Sequence, residues 1–264
     1  MQQTQDKKAA DFRALHDHGA FIIPNPWDAG SARVLDALGF KALATTSSGF
    51  AFTLGRADGG ASLDEVIEHV RRIDRSTRLP VTVDLENGYG TAPEAAAAAI
   101  HRSASAGAVG GSIEDYDPEN QIYSLEHAVE RVAAASEATR GLSFPFTLTA
   151  RTENHIRGNP DLDDTIARLQ AYERAGADVL YAPGLQGGDE IRAVCEVVTK
   201  PLNVLARPGM SMTEIVDAGA RRISVGGALT WVAVEAMVNA AVKMRDEGDF
   251  SSLGVPIRIK DWLG

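Results

Sequence analysis

Val81-Thr82-Val83-Asp84-Leu85-Glu86-Asn87-Gly88-Tyr89-Gly90 is the stretch from which the rest of the chain can be read. The apolar run from Pro80 to Val83 has the make-up of a buried strand. Its end turns acidic, breaks into a glycine-flanked loop, and gives way to an alanine-rich helix near Pro93. Residues two apart on a strand share a face, so Asp84 and Glu86 are expected to point the same way, with Leu85 opposite. Two carboxylates side by side repel each other and lose hydration. They stay ionised together only beside a cation, failing which one pKa rises. Helix capping or a solvated turn is the ordinary reading of an isolated acidic pair, and acids further along the chain count against it here.

The same strand, loop and helix unit recurs along the whole sequence. Eight apolar runs are followed by helix-like segments: Ala20 to Pro24, Ala42 to Thr46, Pro80 to Asp84, Val109 to Glu114, Pro145 to Arg151, Asp178 to Ala182, Pro201 to Ala206 and Arg222 to Gly226. Such alternation is the signature of a parallel sheet with crossover helices. Several helices close on glycine before the next strand, at Gly39, Gly107, Gly176 and Gly219, where a left-handed C-cap is expected. Eight units in about 250 residues is the size of a closed barrel. The fold class expected is therefore α/β, a single (β/α)8 TIM barrel over residues 1–264 with its active site at the C-terminal ends of the strands.

Composition narrows the partners. The chain has 264 residues, 44% of them apolar, and a net charge of −10, so it lacks the basic patch that nucleic acid or an anionic membrane surface requires. No apolar run reaches membrane-spanning length, and the start MQQTQDKKAADF holds no secretory signal. A single cysteine, Cys195, sits in a helical pattern as core filler and suits a reducing compartment. A cytoplasmic protein acting on a small metabolite, with no nucleic acid and no membrane partner, is the expectation.

The residues just past each strand are those that reach the barrel mouth. After the second run, the hydroxyls and free amides of Ser47, Ser48 and Gly49 could hold a carboxylate, a plain serine-rich turn being the alternative. Asp58 follows in a glycine-bearing loop, where Asp-Gly is also a common turn pair. The fourth run ends Ile113-Glu114-Asp115-Tyr116, on the strand next to Asp84 and Glu86, and strands about 4.8 Å apart can share one metal shell. Glu114 is taken as the inward residue and Asp115 as facing the helices. An all-oxygen set favours Mg²⁺ or Mn²⁺ over zinc. Arg151, in an otherwise acidic mouth, is placed to grip a carboxylate or to pair with one of those acids. His155 beyond it is a candidate acid or base, as are Tyr89 and Tyr116. Arg207-Pro208-Gly209 and Val225-Gly226-Gly227 lie where many barrels bind phosphate, or are tight turns.

Taken in order, Pro24-Asn25-Pro26-Trp27-Asp28-Ala29, Thr46-Ser47-Ser48-Gly49, Leu54-Gly55-Arg56-Ala57-Asp58, Asp84-Leu85-Glu86-Asn87-Gly88-Tyr89-Gly90, Ile113-Glu114-Asp115 and Ala150-Arg151-Thr152 make the chain resemble the isocitrate lyase/phosphoenolpyruvate mutase superfamily along nearly its whole length. The resemblance implies a Mg²⁺-dependent barrel. It implies that Asp58, Asp84, Glu86 and Glu114 form the metal shell, partly through water, that Ser47, Ser48 and Gly49 bind the substrate's carboxylate end, and that Arg151 holds an anionic group. Three departures qualify it. Glu86 stands where the family usually has a second Asp. The loop from Asp115 to Tyr123 lacks both the Lys-Lys-Cys-Gly-His run of the isocitrate lyases and the lysine of phosphonate-forming mutases, and no histidine stands near Ala182.

The function expected is a Mg²⁺-dependent lyase, or a C–C or P–C bond-cleaving enzyme, acting on a small 2-oxo acid or related carboxylate through an enolate-like intermediate. It is a phosphonomutase-like member whose substrate the sequence does not assign, with Arg151, Tyr116 and His155 as candidate catalytic residues. The alternatives are an activity of the phosphoenolpyruvate mutase or phosphonopyruvate hydrolase type, a non-catalytic metabolite-binding barrel, and a metal-free barrel using the late glycine loops for a sugar phosphate. The amphipathic stretch Thr230 to Met244 would permit a homo-oligomer, dimer or tetramer, whose C-terminal segment of about 228–264 is exchanged between subunits.

Overall fold

All eight apolar runs become parallel strands in the computed structural model, which describes residues 3–17, 19–119, 121–254 and 258–263. They are β1 (Phe21–Ile23), β2 (Leu43–Ala44), β3 (Val81–Asp84) and β4 (Gly110–Glu114), then, after a short hairpin of β5 (Tyr116–Asp117) and β6 (Gln121–Ile122), β7 (Thr147–Arg151), β8 (Val179–Tyr181), β9 (Leu202–Leu205) and β10 (Arg222–Ser224). The order in the sheet is β1-β10-β9-β8-β7-β4-β3-β2, the sequence of a ring. The ring is drawn together where the Ala44 amide donates to the Pro24 carbonyl at 3.1 Å. Buried Asn25 stitches the same seam, donating to Thr45 O and accepting from Val225 N.

Helix α1 (Gln5–Ala14) precedes the barrel, and its Phe12 packs with Phe21, Ile23, Ala42 and Val109 under the N-terminal ends of the strands. The outer layer consists of α2 (Ala29–Ala37), α3 (Ser47–Thr53), α4 (Leu63–Ser76), α5 (Pro93–Ser105), α6 (Leu125–Arg140), α7 (Leu162–Ala175), α8 (Gly188–Val197), α9 (Met212–Asp217), α10 (Ala228–Glu247) and the short α11 (Ile259–Leu263). Its largest core cluster lies between strands and helices, where Leu85, Ile100, Ile113, Leu148, Leu169 and Leu180 are sealed from solvent. Small residues set the spacing in β4. A side chain at Gly110 would meet Thr147 O at 2.9 Å and Phe12 at 3.0 Å, so only glycine lets the neighbouring strand and the plug close up.

The sequence and the structure part at two places. Two helices, α3 and α4, fill the second connection, and the hairpin of β5 and β6 escapes sequence reading because each strand is two residues long. The glycine helix endings hold: Gly39, Gly107, Gly176 and Gly219 have φ of +87°, +108°, +104° and +107°.

Candidate functional site

Asp84 and Glu114 are each placed by the end of a strand. Asp84 closes β3, and its backbone amide donates to Thr45 Oγ1 at 3.0 Å. Its carboxylate accepts from Glu86 N at 3.3 Å, Ser47 N at 3.4 Å and Ser112 Oγ at 3.5 Å. Strand geometry ends there, because Glu86 has φ +48° and Tyr89 φ +61°, in the left-handed region that non-glycine residues seldom enter. Glu86 therefore reaches the mouth through a turn, which corrects the alternation argument for the pair. Its Oε1 accepts from Tyr89 Oη at 3.2 Å. Burial, then Asp84, then Asp58 push its carboxyl up from 4.5 to about 7. Asp58 itself is exposed on the loop between α3 and α4 and acts on Glu86 through its charge.

Arg151 closes β7 and faces the acids. Its Nη1 lies 3.4 Å from Glu114 Oε2 and 3.9 Å from Asp84 Oδ2, its Nε donates to Glu153, and it stacks 5.1 Å over the Tyr181 ring. Burial pushes Glu114 well above the carboxylate range; Arg151 opposes that, while Glu153, Asp84 and Glu86 add to it. The Arg151 guanidinium lines the cavity at the strand ends, where a substrate oxygen can reach it. Asp115 turns the other way, into the helix layer, where it accepts from Tyr172 Oη at 2.5 Å, Glu153 N at 2.8 Å and Arg168 Nη1 at 3.1 Å.

Two proposed groups stand elsewhere than sequence reading put them. Gly49 is not part of an open loop: Ser47 begins α3, Thr46 caps it, and the Gly49 amide donates to Thr46 Oγ1. With the Ser47 amide on Asp84, the free amides expected there reduce to that of Ser48, beside the two serine hydroxyls. His155 points away from the mouth. Its ring is buried, with Nδ1 3.1 Å from Thr165 Oγ1 on α7 and Nε2 3.5 Å from Glu190 on α8. As an acid or base at the mouth it is withdrawn. Tyr116 lies in the hairpin under the Arg157 guanidinium, 3.7 Å from its ring centre. The loop from Asp115 to Tyr123 is thus this hairpin, apart from Asn120, which is outside the described residues. Burial raises the Cys195 thiol to about 11, in keeping with a filler.

Sequence reading overlooked Glu153, fully buried between Arg151 and Arg157, although it stands two residues past Arg151. It also overlooked Arg131 on α6, which donates to the carbonyls of Asn87, Gly90, Thr91 and Ala92 and so holds the whole β3 loop. Arg131 lies against the Tyr123 ring and within reach of the Asp117 charge, and an arginine on a helix gives no sequence hint of partners forty residues back. Arg131→Met is expected to lower stability by about 2–4 kcal/mol, since several carbonyls lose a charged donor. A urea melt checks this, and an unchanged midpoint would show that the loop holds itself.

The residues present also answer whether a cation fits. Among the described residues no three His, Cys, Asp or Glu side chains meet closely enough to cage an ion by themselves. Arg151 stands between Asp84 and Glu114, so the direct convergence expected of the acids is not what the structure draws. That arrangement tells against zinc. It fits Mg²⁺, which keeps several waters and takes only one or two carboxylates directly. Burial first, then the charges of Asp84 and Asp58, favour a proton on Glu86, and a cation held there would compete with it.

Comparison with known proteins adds to this geometry. The family described as Phosphoenolpyruvate phosphomutase matches residues 12–245. An oxaloacetate decarboxylase of Bradyrhizobium diazoefficiens is 32% identical over 84% of this chain and 79% of its own length. A solved lyase/mutase candidate from Burkholderia cenocepacia J2315 is 50% identical, with a TM-score of 0.94 over 97% of this chain and 94% of that one. An oxaloacetate acetylhydrolase solved with its product oxalate is 25% identical, with a TM-score of 0.86 over 96% of this chain and 92% of that one.

Proposed function

The chain belongs to the phosphoenolpyruvate mutase/isocitrate lyase superfamily, and on that footing we propose that it cleaves a C–C bond in a four-carbon 2-oxo dicarboxylate of the oxaloacetate class, with Mg²⁺ or Mn²⁺ at the mouth. As a superfamily member it is an enzyme of the lyase type, which removes the non-catalytic alternative. The observation that carries the substrate class is Arg151, a buried guanidinium facing the cavity at the strand ends beside Glu114 and Asp84, with Glu86 close by, its carboxyl raised to about 7 by burial and by Asp84 and Asp58. The oxaloacetate enzymes among the relatives support the choice.

Asp84 and Glu86 would hold the ion, with Glu114 and Asp58 acting through its water. When bound, the ion supplies Lewis-acid polarisation of the substrate's carbonyl. The chain's own groups do the rest. Arg151 holds a carboxylate, and Glu153 fixes the guanidinium's direction. The Ser47 and Ser48 hydroxyls, at the start of α3, offer donors to the other end of the substrate. The hairpin is tied down by Asn87 Nδ2 donating to Asp117 at 2.9 Å and to Tyr123 Oη at 3.1 Å, which shields the mouth from water. Tyr116 is then a lid residue, and Tyr89, whose phenol burial and Glu86 keep protonated, a hydrogen-bond donor that orients Glu86.

Incubating the protein with oxaloacetate and related 2-oxo acids, with Mg²⁺, Mn²⁺ or chelator, tests this. Pyruvate, or oxalate and acetate, should form with the ions at least about 100-fold faster than with chelator. Turnover of phosphonopyruvate alone would favour the P–C reading.

The same reading makes the protein a homo-oligomer. Only Thr230 of the 20 residues of α10 is buried, and Trp231, Val232, Met237, Val238 and Val242 lie exposed. A second copy would cover that face, exchanging the segment of about 228–264, of which 255–257 and 264 fall outside the described residues. Size-exclusion chromatography with light scattering should give a dimer or tetramer, and a monomer would refute the exchange. No helix among the described residues is long and apolar enough to cross a membrane. The lone, unpaired Cys195 supports a cytoplasmic setting.

A further inference from the structure

Beneath the mouth, inside the ring of strands, is a charge that the proposed reaction does not use. Arg222 opens β10 and is 5% exposed. Its Nε donates to Asn203 Oδ1 and its Nη2 to Thr149 Oγ1, both at 2.9 Å. Among the described residues its Nη1 has no partner, and no carboxylate pairs with it. The titratable groups that act on it are Tyr181, a phenol, and His16, which burial keeps neutral with a pKa of about 4. Thr149 and Arg151 share the inner face of β7 two residues apart, so Arg222 lies one side-chain layer, roughly 7 Å, below Arg151.

Arg222 lines a cavity of about 60 Å³ whose wall carries Thr45, Thr82, Ser112, Asn203 and Ser224 and whose upper end reaches Asp84 and Arg151 at the mouth. Hydroxyls and amides can turn a donor toward an anion, and a buried guanidinium without a counter-charge is costly. One water takes about 30 Å³ in the liquid, so the cavity suits a water-sized guest and crowds a phosphate. Asp84 in the upper wall further disfavours a doubly charged guest.

We propose that this cavity is a binding site for a small monovalent anion of chloride size, held by Arg222 as its buried counter-ion and by the surrounding hydroxyl and amide donors. The proposal is independent of which 2-oxo acid is cleaved.

The test uses the whole protein, with bromide and chloride as probes. Crystals grown without halide and soaked in bromide should show an anomalous peak beside Arg222 Nη1. In solution, chloride exchanged for a bulky sulfonate at constant ionic strength should raise Tm by roughly 2–4 °C for each tenfold rise above Kd. Arg222→Met should lose both responses. Should that variant fail to fold, the two wild-type measurements still decide. No peak at Arg222 together with a chloride-independent Tm would overturn the proposal. So would bromide found only at the mouth, or a chloride response that Arg222→Met retains.

Discussion

Arg151→Met should stop turnover and lower stability by about 3–5 kcal/mol, the usual consequence of removing one partner from a buried ion pair. Glu114, Glu153 and Asp84 all face this one guanidinium. Burial already raises Glu114, and losing Arg151 removes the main influence that lowers it. For a carboxyl raised on folding, the contribution to stability is present below its unfolded pKa and lost as pH rises through the folded one. The deficit of the variant should therefore grow from pH 5 toward pH 8 in urea melts. Arg151→Lys keeps the charge but not the planar fork, so it should recover most of the stability while turnover stays about 100-fold down. A methionine variant that melts and turns over like wild type would remove Arg151 from the account.

Asp84→Asn is the second large effect. The carboxylate lies at the end of β3 with three donors on it, so the amide occupies the same space while losing the charge. Turnover should fall about 100- to 1,000-fold. The variant also carries a pH signature. Glu86 sits at about 7 because of burial first, then Asp84, then Asp58. In wild type a cation competes with that proton, so apparent Mg²⁺ affinity should climb as pH rises to about 7 and level off above it. Without a cation, the Glu86 contribution to stability is present below about 4.5 and lost as pH rises through about 7. Removing the Asp84 charge lowers Glu86 toward its ordinary value, and the transition in cation-free stability should move to lower pH. Profiles that stay in place would mean that Asp84 does not act on Glu86.

The strands were legible because apolar runs of five to seven residues, punctuated by glycine, leave a parallel sheet as the natural solution. The mouth was less so. Alternation along a strand could not foresee that β3 stops at Asp84 and that Glu86 arrives through a left-handed turn. Ser47 to Gly49 read as a loop because a seven-residue helix is too short to show a period. His155 looked catalytic from its place after Arg151, but its partners Thr165 and Glu190 belong to later helices. The buried arginines were invisible for the same reason: Arg131 and Arg222 bind groups 39 to 44 and 19 to 73 residues away, and nothing local marks an arginine as buried.

The central claim is that the acidic mouth needs a divalent cation in order to bind a 2-oxo acid. Calorimetric titration of oxalate into the chelator-treated protein, with and without Mg²⁺, tests it most directly. The account predicts oxalate binding that requires Mg²⁺ and is lost in Asp84→Asn. Equal oxalate affinity with and without the ion, or undiminished binding in that variant, would contradict it.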